Sequence, residues 1–258
     1  MPLSSQLIAF YSILRKELIR IFRIWPQTLL PSAVTQTLYF LIFGTFIGSQ
    51  LKAIDGVSYM AFIVPGLVMM AIITNSFSNV VSSFFGAKFQ RSIEELLVSP
   101  TPNWVILAGF VAGGVVRGLI IGVIVLGVSL FFNPFIQISN IFIVLVFAIL
   151  TAVVFALAGF TNSLFAKSFD DISIVPTFIL TPLTYLGGVF YSIKNLDPFW
   201  QSISQFNPIL YMVDGFRYGF FGRADVDVKI SFAILFGSAI ILSTLNWYLL
   251  KRGAGLRS

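Results

Sequence analysis

The chain has 258 residues, 57% of them hydrophobic and only 10% charged, with a formal net charge of +6 and a mean hydropathy of +0.95. Soluble domains carry about a quarter charged residues, so a water-soluble enzyme is excluded and lipid must be the solvent for most of the surface. Cysteine and histidine are absent, which removes disulfides, thiol nucleophiles, and the commonest general base and metal ligand.

Spanning strands alternate polar and apolar residues, whereas the apolar stretches here are long and continuous, so an all-α membrane protein is expected. A +6 charge in a soluble chain would suggest nucleic acid as a partner. In a membrane protein the cations instead mark the cytoplasmic loops, and no nucleic acid is expected.

Residues 5–25 do not read as a signal peptide, because Arg15, Lys16, Glu17, Arg20 and Arg23 interrupt the apolar segment. Leu7, Tyr11, Leu14, Leu18, Phe22 and Trp25 recur at helical spacing, with Lys16, Arg20 and Arg23 on the opposite face. This pattern suits an amphipathic helix on the membrane surface, its cations toward anionic headgroups. A helix packed on other protein would show the same stripe.

Six spans follow, at about Leu29–Ile47, Tyr59–Phe85, 104–132, 140–165, Ile172–Ser192 and Ile230–Leu250. Asn133-Pro134 divides the 49 uncharged residues between Arg117 and Lys167, which are too many for one crossing of about 20 residues. The stretch Pro198–Val213 is too short to cross and is split by Asn207-Pro208, so short re-entrant or interfacial helices are expected before the last span. With both termini on one side, that side carries ten Lys and Arg, Arg257 among them, against five opposite, Lys52 among them. That balance puts both termini in the cytoplasm.

No G-x-x-x-x-G-K-[ST] phosphate loop occurs, so no ATP site of that kind is expected in this chain. Ionisable residues within the spans are few, unlike proton-driven transporters. Segment 88–102 offers a cytoplasmic handle: Phe89, Ile93, Leu96 and Leu97 form an apolar stripe and Arg91–Glu95 an i,i+4 pair, ended by Pro100 and Pro102. The plainer reading is a solvated connector with a routine ion pair. Arg117 lies 13 residues past Trp104, about 20 Å deep. A charge there should face protein or water, either as a pathway or gate residue, or as an interhelical pair or snorkelling side chain. Asp170-Asp171 are placed to cap the fifth span.

Glu94-Glu95-Leu96-Leu97-Val98-Ser99-Pro100 resembles the E-x-L-L-V-S/T-P segment of the ABC-2 (type-2 ABC exporter) permeases. Pro182 to Tyr191, followed by Pro198, Asn207-Pro208, Tyr211, Asp214 and Arg217, resembles that family's C-terminal signature. The resemblance covers essentially the whole chain and implies a single transmembrane domain over 1–258, acting as the permease of an ATP-driven exporter in a bacterial inner membrane. It implies pairing with itself and with a separate ATPase subunit that binds ATP and Mg, so that this chain is no enzyme and holds no cofactor. It further implies that 88–102 is a coupling helix carrying Arg91, Glu94, Glu95, Leu96 and Leu97, that 5–25 lies at the membrane surface, and that 194–223 forms outer re-entrant helices. Their signature residues are Gly187, Gly188, Pro208, Tyr211, Asp214 and Arg217. A passive channel or structural membrane protein is the alternative. A lipid-modifying enzyme would need convergent catalytic groups, which the absence of His and Cys discounts. The transported substrate is not legible.

Overall fold

A computed structural model describes residues 1–51, 53–54 and 56–255. Lys52 and Arg257, two of the cations in the charge balance above, lie outside the described residues. Among the described residues the fold is built from ten main helices, α1 (Leu3–Arg23), α2 (Trp25–Gln50), α3 (Tyr59–Phe89), α4 (Ser92–Val98), α5 (Asn103–Phe132), α6 (Ile141–Phe165), α7 (171–185), α8 (Pro198–Gln205), α9 (Pro208–Phe221) and α10 (Val228–Arg252), with a 3₁₀ turn at Ile193–Asn195 and an isolated bridge between Ile54 and Val57. Five of these, α2, α3, α5, α6 and α10, are long and apolar enough to cross a membrane.

Local chemistry sets the boundaries. Ser58, Asn140, Asn207 and Asp227 each accept a hydrogen bond from a first-turn N–H of α3, α6, α9 and α10, satisfying donors that have no intrahelical partner. Gly222 and Gly253 end α9 and α10 in the left-handed conformation. The break expected at Asn207-Pro208 falls between α8 and α9.

Helix α3 is the axis of the bundle, buried along most of its length between α5 and α6. Close approach depends on small residues, since apolar side chains gain little by leaving lipid. A Cβ on Gly159 of α6 would lie 2.5 Å from the Phe77 carbonyl oxygen, and one on Gly114 of α5 would lie 2.9 Å from that of Ser76.

The expected fifth span is shorter than the others. α7 covers about fifteen residues, or about 22 Å, and contains a π-helical stretch at Val175–Leu180. The segment 169–190 that contains it nevertheless reaches both ends of α3. Phe169 packs on Phe85 at one end, ring centroids 5.1 Å apart, and Tyr59 donates to the Phe190 carbonyl at the other (3.1 Å).

α1 packs on the bundle by a face distinct from its apolar stripe. Ile13, Glu17 and Ile21 pack inward, Ile13 and Glu17 against Gly109 and Gly113 of α5, while Leu7, Tyr11, Phe22 and Trp25 stay exposed. Arg20 turns inward with Glu17 rather than toward headgroups. A buried carboxylate requires a partner, and that requirement sets the rotation of the helix.

Candidate functional site

Three neighbourhoods gather the chain's polar chemistry. The first is the turn between α3 and α5. Lys88 closes the end of α3 by donating to the carbonyls of Leu164 (2.7 Å) and Ala166 (2.9 Å). Arg91 adopts φ 59°, and this left-handed residue reverses the chain into α4. Ile93 is buried with Phe84 and Phe110 beside it in the core, and Leu96 and Leu97 pack at its edge. Glu94 and Glu95 point outward and Val98 is 87% exposed.

Two expectations need correction. Arg91 makes no ion pair with Glu95 or any other carboxylate among the described residues, because as the left-handed cap it sits outside the helix on which i,i+4 spacing operates. Phe89 does not share the stripe of Ile93, Leu96 and Leu97. It ends α3, ahead of the reversal, and packs on Phe85 and Phe169 while 62% exposed.

The second neighbourhood is a polar track within the bundle. Asn75, Asn79 and Ser83 stand on one face of α3 at successive four-residue spacings. Glu17, fully buried, accepts from Ser83 Oγ and from Arg20 Nη2 (2.9 Å). The same Arg20 nitrogen donates to Asn79 Oδ1 (2.8 Å). One turn further along, Arg117 Nη2 donates to the Thr28 carbonyl (3.0 Å) and to Asn75 Oδ1 (3.4 Å), which also accepts from Ser32 (3.0 Å). The Arg117 guanidinium is thus turned toward α2 and α3, with the Thr28 carbonyl as its main acceptor. Sequence reasoning missed Glu17, Asn75, Asn79 and Ser83. The signal was available in the i,i+4 recurrence of polar residues through an uncharged span.

The third neighbourhood is at the opposite end of α3. Gly188, at φ 73°, presents its carbonyl to Arg217 Nη2 (2.7 Å), and that guanidinium lies 3.9 Å from the Phe62 ring centroid. Asp214 accepts from the backbone N–H groups of Asp225 (2.9 Å) and Val226 (2.8 Å), folding the segment after α9 back over it. Asp225 receives Ser192 Oγ (2.8 Å) and pairs with Lys194 (3.2 Å). Tyr211 donates to the Gln205 carbonyl (2.7 Å), Pro208 opens α9, and Gly187 lies against Ile209. Gly188, Asp214 and Arg217 therefore hold a clasp, with Gly187, Pro208 and Tyr211 nearby, beside a cavity of about 500 Å³ lined by Phe62, Asp214, Arg217 and Phe221.

Asp171 lies in none of these. Its carboxylate accepts from the N–H groups of Lys167 and Ser168, and its own N–H donates to Ser168 Oγ. This is the reciprocal capping arrangement, carried by Asp171 and not by Asp170. Those hydrogen bonds, the Lys167 N–H first, hold its carboxyl below the usual carboxylate range.

Comparison with known proteins supplies the context. The ABC-2 type transporter family matches residues 8–221. The chain is 58% identical to the Escherichia coli (strain K12) protein named inner membrane transport permease YadH, over 97% of this chain and 98% of that one. It is 24% identical to nodulation protein J of Neorhizobium galegae, over 90% of this chain and 89% of the relative, and 25% identical to that of Rhizobium meliloti over 83% and 82%. With the family matched across most of its length and a relative this similar from end to end, the chain belongs to the ABC-2 type transporter family.

Proposed function

We infer that this chain is the membrane-spanning permease of an ATP-driven exporter in an inner membrane, working as a dimer with a separate ATPase that binds ATP and Mg. The observation that carries this reading is the short helix α4: Ile93 anchors it to the core while Glu94, Glu95 and Val98 remain exposed. A chain with no phosphate loop needs such a handle if another subunit supplies the energy. ABC-2 permeases generally work with an ABC ATPase, and the relative named a transport permease agrees with the reading.

Six crossings fit best. α7 begins beside the α3 end that carries Lys88 and leads to the end that carries Tyr59, so it supports a crossing despite its length. The termini and α4 then share the cation-rich side, and α8 and α9 lie on the other. The exposed Leu7, Tyr11 and Phe22 of α1 suit contact with membrane lipid. Large apolar faces on α2 and α10 are left for lipid or a second copy.

Inverted vesicles containing this permease and its ATPase test the reading. ATP should drive uptake of a substrate found by screening, and removal of either subunit should abolish it. Uptake that persists without the ATPase would instead identify a passive channel.

A further inference from the structure

A groove of about 620 Å³ runs down the outside of the bundle between α6 and α10. Every residue lining it is apolar except Lys229. Its floor is Phe147, buried because its ring lies on Gly215 of α9, which has no side chain to keep it out. One wall is flat: the Phe232 and Phe236 rings stack with centroids 5.9 Å apart and planes 10° from parallel. Phe142, Val146 and Leu150 form the other wall at successive turns of α6. From Phe142 to Leu150, and from Val228 to Phe236, the groove follows each helix for about 12 Å. The hydrocarbon of one leaflet is about 15 Å deep, half of the membrane core. The groove therefore matches most of the length of one acyl chain.

The mouth of the groove specifies the headgroup. α10 begins at Val228, and the charged Arg223, Asp225 and Asp227 precede it, so the polar interface lies at this level. Lys229 stands there in the first turn, exposed, and pairs with no carboxylate among the described residues. Asp227 accepts the Lys229 N–H as the helix cap (2.8 Å), and Asp225 pairs with Lys194 (3.2 Å). A cation in a first turn also opposes the helix dipole. An anion beside the Lys229 ammonium would be favoured by both fields, and a chain hanging from that anion would enter the groove. Below Lys229 no lining side chain is polar, and none belongs to the polar track around Arg117. A headgroup has no path inward from here, so the occupant is resident and not cargo.

We propose that this groove holds one acyl chain of an anionic phospholipid, with its phosphate on the Lys229 ammonium. Such a site goes beyond the exporter reading and needs only that α6 and α10 span the membrane.

The test uses the full-length, cysteine-free chain carrying Ile149→Cys, at the 44% exposed edge of the groove, labelled with bimane. It is placed in nanodiscs of equal phosphatidylglycerol and phosphatidylethanolamine, with bromine on the chains of one lipid or the other. Quenching should show phosphatidylglycerol favoured at this position about fivefold, the value of one lysine beside an anionic lipid. Lys229→Gln should bring the two lipids level, and Lys229→Arg should keep the preference. Val146→Trp, which fills the groove and leaves Lys229 in place, should also bring them level; Phe236→Ala, which removes half of the flat wall, replaces it if the Trp variant fails to insert. Equal quenching by the two lipids in the parent would overturn the proposal. A preference that survives Lys229→Gln would do the same, and one that survives loss of the groove would reduce Lys229 to attracting lipid at the surface. A thiol that never labels, or that forms a disulfide between copies, would also overturn it, since a second chain would then cover this face.

Discussion

At the scale of single residues, the bundle tolerates buried charge only where acceptors are already in place. Arg117 donates to Thr28 and Asn75, so Arg117→Leu should insert at least as well as the parent, with the desolvation cost removed. Transport should fall by about tenfold if those hydrogen bonds stabilise one state of the cycle. Normal transport by a well-inserted Leu variant would reduce Arg117 to a packing role. Glu17 makes the complementary case. Glu17→Gln leaves Arg20 without its counter-charge and should lower unfolding stability by about 1–3 kcal/mol, below the loss for a fully buried pair because Arg20 keeps 27% of its side chain exposed. Thermal unfolding in detergent, with Glu17→Leu/Arg20→Leu recovering part of the loss, would check it. Arg117 was legible in the sequence as a lone charge in an apolar run. Glu17 was not, because its partner Ser83 lies more than sixty residues away and its neighbours in sequence are cations.

At the scale of elements, hydropathy and turn residues located the long helices to within a few residues, and Asn133-Pro134 and Asn207-Pro208 mark real breaks. The errors arose where geometry overrides periodicity. The 88–102 segment read as one stripe, but a left-handed Arg91 resets the helical phase between Phe89 and Ile93. Arg91→Gly should therefore be neutral or stabilising by up to about 1 kcal/mol, since glycine accepts that conformation without steric cost; a loss of stability would mean the side chain has work the fold does not reveal. Gly188 is the reverse case. At φ 73° and bonded to Arg217, Gly188→Ala should cost about 1–2 kcal/mol and loosen the clasp, seen as faster protease cleavage after α9. An unchanged cleavage rate would show that the clasp does not depend on this turn.

At the scale of the whole molecule, six crossings place the α4 end and the α9 end of the bundle in opposite compartments. Cysteines placed at Ser5 and Asp225 should label from opposite sides of the membrane, and labelling from one side would undo the six-crossing topology. The cation count could suggest this arrangement, but only the path of α7 along α3 supports a fifth crossing in so short a helix. The proposed exporter stands or falls with docking of an ATPase on α4. Copurification of the ATPase with the tagged permease, compared between the parent and Glu94→Lys/Glu95→Lys, measures it most directly. The parent should retain the ATPase and the charge-reversed pair should give at least a tenfold lower ATPase yield, while permease yield stays the same. Equal recovery from both, or no ATPase from the parent, would contradict it.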